Sequence, residues 1–141
     1  IKNRFSYAGR IYKDSLKNDA QLKFDAIVKF DLETGTSTTY EHGPGRYGME
    51  AQFVPRNQSS VPSSSELKED DGWLLLYVHD EEKDRSECIM LDAKDISKKP
   101  IARVVLPDRV PYGAHAMWMP DPEKEAFGQE EQQKYYGERY T

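Results

Sequence analysis

Between Arg4 and Met119 the chain repeats one pattern: short apolar or alternating runs of strand length, each closed by turn residues. Eight such runs are predicted as strands: Arg4 to Tyr12, Phe24 to Leu32, Thr36 to His42, Glu50 to Arg56, Trp73 to Asp80, Glu87 to Leu91, Ala102 to Leu106 and Ala114 to Met119. Glu33-Thr34-Gly35 and the acidic stretch Glu81 to Asp84 supply hairpin chemistry between neighbours. Two groups of four, over 4–56 and 72–119, predict two antiparallel four-stranded meanders. Such units fit adjacent propeller blades, but propellers usually close with four to eight blades, so two cannot make a ring. A free-standing eight-stranded sandwich is the structural alternative.

The attachments are polar. Asn57 to Asp71 holds five serines and ends in an acid cluster, which reads as a solvated loop. Asp121 to Thr141 has nine charged residues; a helix drawn through Glu123 to Tyr136 has a thin apolar face, so 121–141 is expected to be a polar tail. The apolar fraction of the 141 residues is only 37%, with 32% charged and a mean hydropathy of −0.86, yet the aromatic and branched content is too high for a disordered chain. The net charge of −5 and the scatter of the basic residues argue against nucleic-acid binding. Cys88 is the lone cysteine, which fits a reducing compartment. The strongest apolar run, Trp73 to Val78, is far shorter than the roughly 20 residues of a membrane-spanning helix. Ile1 is not an initiator methionine, so the chain is expected to begin inside a longer product.

Histidine is the commonest metal ligand and a base near neutral pH, so His42, His79 and His115 are the chemical candidates. Their spacing forms no local chelate. His42, beside Gly43 and Pro44, reads as a solvated loop residue, and His79 as a strand end held by a hydrogen bond. His115 lies in a segment without charge from Val110 to Met119. A buried imidazole there would need both nitrogens satisfied, by a metal and an acceptor or by ordinary partners. Glu50 opens an apolar strand, either as an edge residue facing water or as a carboxylate that fixes a metal-binding histidine.

Four ordered blocks narrow these alternatives. Lys29 to Gly35, Gly43 to Arg56, Glu69 to Glu81 (with Gly72-Trp73 and Val78-His79-Asp80) and Leu106 to Ala116 together resemble the closing part of the carotenoid cleavage oxygenases. Within that family they are most similar to the plant-type dioxygenases that cut carotenoids at the 9,10 and 9′,10′ double bonds. The resemblance covers residues 22 to 120. It implies an all-β seven-bladed propeller of which this chain is the C-terminal part, residues 1–120 being two four-stranded blades. It further implies a non-haem Fe(II) held by four histidines, with His115 as the last ligand and Glu50 as a carboxylate behind a ligand. The other three histidines are then expected from the remainder of the same enzyme. His79 matches a family histidine that is not a ligand.

The activity implied is O₂-dependent cleavage of a C=C bond in a carotenoid or apocarotenoid, giving two carbonyl products. The implied partners are an apolar polyene and O₂, and the implied location is the cytoplasm, with peripheral membrane contact through the missing part. Other readings are a stilbenoid-cleaving or retinoid-isomerising relative, and a non-catalytic propeller that only binds. Ala114 stands where the family commonly has Phe, which weakens the substrate assignment.

Overall fold

The computed structural model describes residues 3–15, 17, 22–56, 68–113 and 115–118. Among these residues the architecture is all-β and antiparallel, with eight strands: β1 (Phe5–Ile11), β2 (Phe24–Asp31), β3 (Thr36–Glu41), β4 (Arg46–Gly48), β5 (Gln52–Pro55), β6 (Gly72–Asp80), β7 (Arg85–Asp92) and β8 (Ala102–Val105). Both tight hairpins are closed by an aspartate at the end of the first strand. Asp31 Oδ1 accepts the backbone N–H of Glu33 and Thr34 in the β2–β3 turn, and Asp80 Oδ1 accepts that of Lys83 in the β6–β7 turn.

The grouping differs from four plus four. β1, β2 and β3 pair in sequence, whereas β4 and β5 both lie along β6, which pairs β7, which pairs β8. The run from Glu50 to Arg56 therefore belongs with the later strands, because its partners are Leu75 to Gly72 and not the preceding hairpin. β4 was not expected from sequence. It also touches β2, Phe24 opposite Gly48, and so joins all eight strands into one branched sheet. Residues 115–118 of the expected last strand form no strand: they have no ladder partner among the described residues. The expected polar tail, including the sketched helix, and most of the serine-rich loop lie outside the described residues.

The core sits between the two groups. Ile27 and Tyr40 from the first pack with Leu74, Leu76, Val78, Ile89 and Leu91 from the second, and Ala93 and Ile96 close one end. Leu74, Leu76 and Val78 alternate on one face of β6 and are at most 2% exposed, each contributing roughly 1.5–3 kcal/mol by leaving water. Lys29 also points into this interface. Its ammonium donates to Asp70 Oδ2, Ala93 O and Lys94 O at 2.8, 2.8 and 3.0 Å, which uses all three of its protons. The opposite face of β6 to β8 is left more open, with Tyr77 and Val104 42% and 57% exposed.

Candidate metal-ligand site

β4 and β5 run along one edge of β6 but in two registers. Gly48 faces Val78, and after Met49, Glu50 and Ala51 the pairing resumes with Gln52 facing Leu75. Three residues thus oppose two, Leu76 and Tyr77, which makes a bulge. Met49 N–H still reaches Tyr77 O at 3.2 Å. Bulges re-aim the side chains they carry. Here the residue re-aimed is Glu50, lifted out of the ladder toward the chain that returns after β8.

That returning chain crosses the open face of β6 and β7. Val110 N–H donates to Ser86 Oγ at 2.9 Å, Tyr112 O–H to Glu81 Oε1 at 2.8 Å, and Gly113 lies against Met49, whose Cε would be 2.7 Å from a Cβ at that position. The segment then delivers His115, whose Nδ1 lies 3.2 Å from Glu50 Oε2. The carboxylate accepts, so in the neutral ring Nδ1 carries the proton and Nε2 is left with a bare lone pair. Nε2 has no partner among the described residues. The His115 side chain is 89% exposed, so the burial expected from its apolar surroundings is not present within this chain: residues 115–118 lie on the sheet face and not between layers. Beside the pair, Met49, Gln52, Tyr77, Cys88, Met117 and Trp118 line an apolar groove of about 130 Å³.

A neutral imidazole with one nitrogen tied to a carboxylate and the other outward is a donor suited to a first-row divalent metal. The fit is that of one ligand, since no group of three or more His, Cys, Asp or Glu that could hold a metal occurs among the described residues. His79 is not part of it. Its Nδ1 lies 3.1 Å from Ser86 Oγ, which agrees with the strand-end hydrogen bond expected for it. Ala114 lies outside the described residues.

His42 differs from its reading as a solvated residue: it is 4% exposed. Gly43 and Gly45, with φ of +99° and +66°, turn the chain sharply around Pro44 and fold the imidazole inward against Tyr40 and Gly48. Both ring nitrogens are buried without a hydrogen-bond partner among the described residues. Burial, with the Arg46 cation adding to it, lowers its pKa to about 4. The only sequence signal for this seat is Gly48, where a Cβ would stand 2.6 Å from His42 Nε2.

The chain matches the family model described as retinal pigment epithelial membrane protein over residues 1–120. It is 42% identical over 125 residues to a carotenoid 9,10(9′,10′)-cleavage dioxygenase of Crocus sativus, covering 84% of this chain and 22% of the relative. An apocarotenoid-15,15′-oxygenase of Synechocystis is 37% identical over 115 residues, covering 82% and 21%. A solved structure of a Synechocystis ACO mutant superposes with a TM-score of 0.67 at 33% identity, over 85% of this chain and 23% of that one. A cobalt-substituted Synechocystis ACO gives 0.63 at 34% identity, over 81% and 22%. The chain spans about a fifth of the length of these relatives.

Proposed function

This chain belongs to the family of the carotenoid cleavage oxygenases and the retinal pigment epithelial membrane protein, and on that premise we propose that it is the C-terminal part of a non-haem Fe(II) dioxygenase that cleaves a C=C bond of a carotenoid or apocarotenoid. The observation that carries this reading is the Glu50–His115 pair, formed across 65 positions by a bulge and a returning segment that have no other evident use. His115 Nε2 is the ligand atom this chain offers. Glu50 holds the proton on Nδ1, orients the ring and strengthens Nε2 as an electron donor. Fe(II), when bound, supplies the activation of O₂ that places an oxygen atom on each carbon of the broken bond.

The remainder of the enzyme supplies three further histidines and the other blades of a seven-bladed propeller. The open face with Tyr77, Val104 and Met117 suits coverage by a neighbouring blade, as inter-blade packing requires. The apolar groove beside Glu50 is compatible with a polyene substrate. Cytoplasmic residence, with membrane contact made by other parts of the enzyme, belongs to the same proposal.

The test is made on the complete protein. About one iron per chain and two carbonyl products from a carotenoid under O₂ are expected. Iron without carotenoid cleavage, but with cleavage of a stilbenoid or isomerisation of a retinoid ester, would replace the substrate assignment. Absence of iron binding would leave a propeller that only binds.

A further inference from the structure

His79 is 5% exposed, lies on the same face of β6 as the groove, and takes no part in the ligand pair. Its surroundings form a hydrogen-bonded relay. Ser86 Oγ, on a residue 2% exposed, stands 2.9 Å from Val110 N and 3.1 Å from His79 Nδ1. A serine hydroxyl has one proton to give, and the Val110 N–H can only donate. Ser86 Oγ therefore accepts from Val110 and, with one proton and one further lone pair left, pairs with His79 Nδ1 in either tautomer of the ring. The other ring nitrogen, Nε2, faces Asp84 Oδ1 at 3.6 Å. A phenylalanine could fill the same space but would leave the buried Ser86 hydroxyl without its imidazole partner.

The imidazole makes a second contact with the same segment. Its ring meets Tyr112 edge to face, centroids 6.0 Å apart and planes at 78°, while the Tyr112 hydroxyl is held by Glu81. Val110 to Tyr112 seat so closely on this part of the sheet that only about 10 Å³ is left between them. Three residues beyond Tyr112 the chain delivers His115 to Glu50.

We propose that His79 is a positioning residue for His115: through Ser86 and Tyr112 it fixes the stretch from Val110 to Tyr112 on the sheet and thereby sets where His115 stands. This deepens the metal-ligand reading and rests on it, but the placement of the segment can be measured without metal.

The experiment uses the complete enzyme with His79→Phe, His79→Asn, Ser86→Ala and His115→Ala. Asparagine can keep a hydrogen-bonding group, acceptor or donor, near the Nδ1 position; phenylalanine keeps a ring and loses that partner. Amide hydrogen exchange over residues 107–118 of the metal-free protein is expected to quicken tenfold or more in His79→Phe and Ser86→Ala, and to stay within about threefold of the parent in His79→Asn and His115→Ala. Fe(II) affinity, read by chelator competition, is expected to fall about tenfold in His79→Phe and to be largely kept in His79→Asn. Unchanged exchange over 107–118 in both His79→Phe and Ser86→Ala would overturn the proposal, as would a general loss of stability with no selective change there. Undiminished iron binding in His115→Ala would overturn the ligand reading instead, leaving the exchange result to decide the placement of the segment.

Discussion

The Glu50 carboxylate lies 3.2 Å from Nδ1 of His115, and neither residue belongs to a strand: one is raised by a bulge between β4 and β5, the other is carried back after β8. Two irregular pieces of backbone on one regular sheet bring the pair together. The placement follows a general pattern in which functional side chains sit on irregular segments held by a rigid scaffold.

Replacing Glu50 by Gln keeps the shape and removes the charge. In the complete protein Glu50→Gln is expected to weaken Fe(II) binding by about 10- to 100-fold. The side chain is partly exposed and outside the core, so the metal-free melting temperature should move by less than about 2 °C. Metal titration and thermal unfolding of the same preparation check both halves.

Gly48 is required by its neighbour. A methyl group at this position would meet His42 Nε2 at 2.6 Å, and that ring is 4% exposed, so relieving the clash means moving a buried side chain. Gly48→Ala is expected to cost about 1–3 kcal/mol. In a Gly48→Ala, His42→Ala double variant the costs should fall short of the sum, because the clash disappears with the ring. Denaturant midpoints of the four proteins measure the coupling.

His42 makes stability depend on pH. Burial comes first among the causes, and Arg46 and Arg10 add to it, while Asp25 and Glu41 pull the other way; the net result is a pKa of about 4 in the folded state against 6.5 when exposed. The unfolded chain therefore binds this proton more readily. Stability is unaffected above about pH 6.5 and falls as the pH drops toward 4, by roughly 3 kcal/mol in total. His42→Phe should flatten that part of the pH profile, as followed by urea unfolding between pH 4 and 7.

Arg46 neutralises two buried acids. Its guanidinium contacts Asp80 at 2.9 Å and Glu87 at 2.7 Å, and those side chains are 3% and 5% exposed. Arg46→Met leaves part of that negative charge without a partner, and a loss of about 3 kcal/mol is expected. Lys83 remains on Asp80, and Arg85 and Arg103 on Glu87, which keeps the loss at the low end for a broken buried pair. The shift of the urea midpoint measures it.

The alternation of apolar and polar residues and the hairpin turns were enough to determine an all-β antiparallel chain, and the resemblance carried by the four ordered blocks gave its family and singled out Glu50 and His115; that these two meet is a finding of the structure. The strands and turns are local properties, written in side-chain period and turn chemistry, and they survive without knowledge of the partners; the family and the site residues rest on the resemblance instead. What only the tertiary structure decided is who pairs with whom. β4 is three residues long and contains a glycine, so it has no strand signature of its own; it exists because β6 offers a free edge. For the same reason the run from Glu50 to Arg56 joined the later strands, and the one-residue register change that re-aims Glu50 appeared only once β6 was in place. His42 shows the limit most clearly. Its neighbours in sequence are turn residues, but burial depends on where the turn folds, and two glycines with positive φ put the ring inside. His115 shows the reverse: an apolar sequence around it promised burial, yet no strand among the described residues pairs with its segment and the ring is 89% exposed. Burial and register are sums over contacts distant in sequence, which a one-dimensional pattern does not contain.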